Sequence, residues 1–192
     1  MIRPVLFALS LLALGACRDE VAALPEPVGM TADAVGHFCQ MNVLEHAGPK
    51  AQVHLAGLAH PLFFSQVRDA IAYQRMPEQS HAITVIYVSD MGGGTAWDNP
   101  GANNWIRADT ALYVVGAAIA GGMGAPELVP FADRTEAEDF ARQHGGSVLS
   151  LTEISDELVL APVEFEGDGG SDAEAEDDIQ QRLRALSHDM EG

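Results

Sequence analysis

The sequence predicts an α+β protein in which two similar β-β-α-β units pack together, between a disordered N-terminal tether and an acidic C-terminal tail. Three observations predict it. Alternating or β-branched apolar runs at 51–56, 82–88, 111–116 and 147–151 have the period and composition of strands. Two stretches with apolar residues spaced by three or four, each preceded by a capping residue, read as helices. The two helical stretches also align at a constant offset of 67, which sets Phe64 on Phe131, Ala70 on Ala137, Tyr73 on Phe140 and Arg75 on Arg142, the mark of a duplicated unit.

Taken in order, the chain opens on an export signal at 1–16. Arg3 gives a short positive start, an apolar run from Pro4 to Leu14 is too brief to span a bilayer, and small residues follow. Leu14-Gly15-Ala16-Cys17 resembles a bacterial lipobox, so the mature chain is expected to begin at a lipidated Cys17 and to be held to the membrane by that anchor. Residues 17–29 form the tether, Pro-containing and without an apolar period. The first half is placed at 30–95, with a turn near 31–35, a strand at 51–56 ended by Gly57, and Ser65 capping a helix over 66–75 that Pro77 stops. A buried strand at 82–88 runs into the flexible loop Ser89 to Gly94, and the chain stays irregular through Asn104. The second half, 96–162, repeats the grammar: a strand at 111–116, a Gly-rich connection, a helix capped by Asp133 with Glu136 completing a capping box, a stop at Gly145-Gly146, and a closing strand. Residues 163–192 are an acidic tail too poor in apolar residues to fold.

Composition narrows function. The chain is 47% hydrophobic and 20% charged, as suits a protein with a core, and its net charge is −18. That charge argues against nucleic acid or anionic lipid headgroups as partners, because both require clustered Lys and Arg. Phosphate-binding loops, Cys-x-x-Cys pairs and a nucleophile elbow are all missing from the sequence.

Two cysteines are present, and lipidation of Cys17 leaves Cys39 without a disulfide partner in an oxidising compartment. Cys39 has Met41 two residues on and His37 and His46 to either side. Thiolate and thioether are soft donors that favour Cu(I) over hard cations. Met123, enclosed by glycines at 121, 122 and 124, lies on a loop able to present its sulfur, and Cys39, Met41 and Met123 together would form a three-sulfur set. His46 is a further candidate ligand, weighed against the commoner use of a lone histidine as a hydrogen-bonded structural residue. Met30 and Met91 are further thioethers near loops. Two other readings stay open: a thiol-dependent redox enzyme with Cys39 aided by His37, and a scaffold lipoprotein whose sulfurs only pack.

Several separated blocks, in order, resemble one known family. They are Phe38 to His46 with Gly48-Pro49-Lys50, Tyr87-Val88-Ser89-Asp90-Met91, Gly121 to Glu127 with Val129-Pro130-Phe131, and His144-Gly145-Gly146. Together they resemble the NosL lipoproteins, accessory factors of nitrous oxide reductase, over roughly residues 30–160. Gln40 stands where the family usually has a small residue. The resemblance implies a Cu(I) chaperone, not an enzyme, with a fold related to organomercurial lyase and with Cys39, Met41 and Met123 carrying the metal. It also implies work beside a membrane ABC-type complex and its periplasmic subunit, with copper passing to the copper-sulfide centre of the reductase. Lyase chemistry needs paired cysteines, and one available thiol does not provide it. The expected address is the periplasmic side of a membrane; Arg18, in place of the aspartate that retains lipoproteins at the inner membrane, favours the outer one.

Overall fold

Strand pairing shares the chain between two antiparallel sheets. The computed structural model describes residues 23–162; the signal, Cys17 and the acidic tail lie outside them. β1 (Ala51–Leu55) is buried along its length and pairs on both sides, with β2 (Leu62–Phe64) and β3 (Ile83–Ser89). A short β4 (Trp105–Arg107) extends the far edge, giving the order β2-β1-β3-β4. The second sheet is centred on β5 (Leu112–Ala120), between β6 (Pro126–Phe131) and β7 (Ser147–Ser150). With α1 (Val67–Arg75) and α2 (Arg134–His144), the order β1-β2-α1-β3 is followed by β5-β6-α2-β7, the expected doubled unit. A five-residue α3 (Asp156–Leu160) ends the described chain.

The duplicated positions occupy equivalent places. Phe64 and Phe131 each end a strand and are buried, and Ala70 and Ala137 are each fully buried in their helices. Burial of the two helices differs. α2 buries only Ala137 completely, with Phe140 and Ala141 half-buried beside it. α1 buries Val67, Arg68 and everything from Ala70 to Tyr73, because it lies between the first sheet on one side and β6 and α3 on the other. Alternation along the second sheet explains this layering. Tyr113 and Leu128 face the large core shared with α1, while Val114, Val129 and Phe131 face α2.

Several local expectations are corrected. Ser65 is not the helix cap: that position is Gln66, whose side chain makes no cap bond. Asp133 does cap α2, accepting from the Thr135 and Glu136 amides, but Glu136 reaches outward and accepts from the Gly93 amide at 2.7 Å instead of closing a capping box. β4 forms just past the stretch read as irregular, as a strand not expected from the sequence, since edge pairing to β3 supplies hydrogen bonds that local sequence does not advertise. The described end of the expected tether is bonded to the sheet. Val28 exchanges two hydrogen bonds with the Gln52 side chain (2.8 and 3.0 Å), and the Tyr87 hydroxyl donates to the Pro25 carbonyl.

Candidate metal site

Cys39 sits at the tip of a tight loop. Val35 bridges to Asn42, the Gly36 amide donates to the Met41 carbonyl (2.8 Å), and the Gln40 amide donates to the Gly36 carbonyl (2.9 Å). The turn places Gln40 at φ +56, a left-handed conformation that costs a non-glycine residue about 1–2 kcal/mol. Gln40 offsets part of the strain by donating from Nε2 to the His37 carbonyl at 2.7 Å. The His37 amide in turn donates to the Phe63 carbonyl of β2, tying the loop to the first sheet.

The Cys39 thiol is half-buried and free, with its Sγ 3.2 Å from the Ser65 hydroxyl. Gly36 leaves the room it needs: a Cβ there would lie 2.5 Å from Sγ. Met41 is 42% exposed, so the loop carries one sheltered and one open sulfur. The His37 ring packs within 5.6 Å of the rings of Phe38, Phe64 and Tyr73, and the polar group at the thiol is a hydroxyl, not an imidazole. Among the described residues, no imidazole hydrogen-bonds the thiol that the redox-enzyme reading makes its nucleophile.

Met123 arrives from the other half, on the hairpin loop between β5 and β6. Its amide donates to Gln66 Oε1 at 2.8 Å, and the preceding Gly122 carbonyl lies 3.1 Å from His46 Nδ1. Gly122 has no space for a side chain, since a Cβ would come within 2.7 Å of the Ala47 carbonyl and 2.8 Å of His46 Cβ. The structure thus brings the Met123 loop against the residues that follow Met41 and against the start of α1. Ser65 meets the Cys39 thiol, and its neighbour Gln66 meets Met123.

His46 has a second feature. Donation from Nδ1 to a carbonyl requires the proton on Nδ1, which leaves Nε2 as the lone-pair atom of a neutral ring. That Nε2 is buried and has no hydrogen-bond partner among the described residues. A ring held through one nitrogen by a backbone carbonyl, with the other nitrogen free, matches the way metal-binding histidines are oriented.

Two charged residues that sequence reasoning passed over organise the surroundings. Lys50 is 1% exposed and donates from Nζ to the carbonyls of Ala47 (3.0 Å) and Gly48 (2.6 Å), bracing the segment on which Gly122 rests. Burial lowers its pKa to about 8, and the charge of Glu127 pulls it back upward. Glu127, at the end of the Gly-rich loop, accepts from the Val67, Arg68 and Leu128 amides at 3.3, 3.0 and 2.8 Å. It caps α1 from the second half, and burial pushes its pKa up to about 8 against those three bonds. Both residues lie inside the blocks quoted above, but nothing in their spacing marks them as buried.

The remaining candidates lie elsewhere. Met30 and Met91 are packed in separate core clusters. His54 bonds Gln52, His81 bonds Ser80, and His144 packs against Phe140 in a tilted pair. Among the described residues no three His, Cys, Asp or Glu side chains gather as a metal site.

The family model described as NosL matches residues 27–159. The chain is 56% identical over 193 residues to the copper-binding lipoprotein NosL of Achromobacter cycloclastes, covering 100% of this chain and 98% of that protein. It is 32% identical over 169 residues to the copper-binding lipoprotein NosL of Stutzerimonas stutzeri, covering 88% and 86%. In three dimensions it is similar to the crystal structure of the copper chaperone NosL from Shewanella denitrificans, with a TM-score of 0.63 at 28% identity over 68% of this chain and 96% of that one. Matched by the family model over most of its length and by relatives along nearly all of theirs, the chain belongs to the NosL family.

Proposed function

We propose that the protein is a lipid-anchored, periplasmic carrier of Cu(I), its cargo held by Cys39, Met41 and Met123 with His46 Nε2 as a further donor. The observation that carries the proposal is the joint anchorage of two sulfur loops at one helix start: the Cys39 thiol on Ser65 and the Met123 amide on Gln66. Soft sulfur donors in a low-coordinate arrangement suit Cu(I), and an exposed Met41 gives an incoming ligand a route to the ion. Its relatives are named for copper binding and copper chaperoning, not for catalysis.

The destination is the copper-sulfide centre of nitrous oxide reductase, reached with a membrane ABC-type complex and its periplasmic subunit. The anchor is the acyl chain on Cys17, in the outer membrane. Competition with a chromogenic Cu(I) chelator under anaerobic conditions tests the metal site. One tightly held Cu(I) per chain is expected, lost in Cys39→Ser and weakened in Met123→Ala. Unchanged tight binding in Cys39→Ser overturns the ligand assignment. Transfer is tested by mixing the loaded protein with copper-free reductase and its assembly complex, where restored activity requires Cys39.

A further inference from the structure

We infer that Gln66 is the positioning residue for the Met123 thioether, holding the Gly122–Met123 peptide in a grip that His46 closes from the opposite edge. This rests on Met123 as a copper ligand. The grip has two parts. The peptide's N–H donates to Gln66 Oε1 at 2.8 Å, and its C=O lies 3.1 Å from His46 Nδ1. A peptide unit is rigid and planar, so fixing both of its polar edges fixes the Met123 Cα and narrows the arc its side chain can sweep to rotation about that residue's own φ.

Gln66 is built for this task. It is 2% exposed, it sits at the N-cap of α1, and yet its side chain makes no bond to its own helix start. The loop accommodates it closely, because a Cβ on Gly121 would lie 2.7 Å from Gln66 Oε1. The adjacent Ser65 hydroxyl touches the Cys39 thiol, so residues 65 and 66 together set the separation of two sulfur loops drawn from different halves. A flexible Gly-rich loop would otherwise lose conformational freedom on metal binding, and holding it beforehand removes that cost.

The test uses Gln66→Leu, which keeps the bulk and removes the acceptor, and Gly121→Ala, which pushes on the same oxygen from the loop side. Each is made alone and with Met123→Ala, and Cu(I) affinity is measured by chelator competition alongside the sulfur neighbours counted by X-ray absorption. Each single variant should weaken Cu(I) by about tenfold through lost preorganisation and lower the sulfur count by one. Neither should weaken it further in the Met123→Ala background. A general loss of structure would act equally in both backgrounds and would overturn the positioning role. So would wild-type affinity in Gln66→Leu and Gly121→Ala while Met123→Ala is weak. Wild-type affinity in Met123→Ala itself overturns the ligand assignment and the inference with it.

Discussion

Gly36→Ala is the sharpest test of where the Cys39 thiol sits. The new methyl carbon would fall 2.5 Å from Sγ and 3.1 Å from the Ser65 hydroxyl oxygen, and ordinary van der Waals contact begins near 3.4 Å. The sulfur must therefore move by about 1 Å, either by changing rotamer or by carrying the loop with it. The 3.2 Å contact to Ser65 is then lost. Overpacking of this kind costs about 1–3 kcal/mol, a fall of about 3–10 °C in melting temperature for a domain of this size. Because residues 23–162 include two shared core clusters untouched by the change, the fold should persist. Cu(I) affinity should fall by about tenfold or more, since a ligand displaced by 1 Å no longer meets the geometry of the other donors. Thermal unfolding followed by circular dichroism gives the first quantity and anaerobic chelator competition the second. Full Cu(I) affinity in a folded Gly36→Ala protein would refute the placement of the thiol against Ser65.

Other expectations follow from the same geometry. At Gln40, φ +56 makes glycine comfortable and a β-branched residue poor. Gln40→Gly should leave stability within about 0.5 kcal/mol, strain relief offsetting lost side-chain bonds and added chain entropy, whereas Gln40→Val should cost about 2 kcal/mol in urea unfolding. His46→Asn retains an N–H for the Gly122 carbonyl but has no second ring nitrogen, so it should keep its melting temperature and lose about tenfold or more in Cu(I) affinity; unchanged affinity would assign His46 to holding the loop alone. Glu127 has its folded pKa raised from 4.5 to about 8, so between those values the folded state binds the extra proton and stability falls as pH rises. Lys50, lowered from 10.5 to about 8, acts in the next window, where the unfolded state binds more protons and stability rises with pH. Urea midpoints should pass through a trough near pH 8, with the acid-side slope lost in Glu127→Gln and the alkaline-side slope lost in Lys50→Met.

Much of the fold was legible because its signals are local. The apolar runs of β1, β3, β5 and β7, the Asp133 cap and the Gly145-Gly146 stop are written in adjacent residues, and the offset of 67 carried the duplication. The strands β2, β4 and β6 were not located, because they are specified by pairing: Phe64 opposite Ala51, Ile106 opposite Val88, and Leu128 opposite Val115. At the site, residue types pointed to soft metal chemistry, but what positions the donors was invisible. Ser65 and Gln66 look like an ordinary helix entry, and the Lys50 and Glu127 charges look like surface. Long-range contacts of 26, 57 and 60 residues in sequence define the roles of Ser65, Gln66 and Glu127.

The duplication also bears on how the proposed site is held. Gln66 and Asp133 occupy the same position in their halves, each the residue before the first helical turn, separated by the offset of 67. Asp133 serves its own helix, accepting from the Thr135 and Glu136 amides at 2.8 and 3.1 Å. Gln66 does not, and its oxygen faces the loop of the other half. The uncapped amides of α1 would cost about 1 kcal/mol or more if left bare, and Glu127 takes them from β6. One exchange thus accounts for two otherwise unrelated features, a helix whose N-cap does not cap and a carboxylate buried where no ion pair forms within 4 Å among the described residues. The symmetric position is structural in the second half and is freed in the first, where α1 lies between the halves and within reach of both sulfur loops.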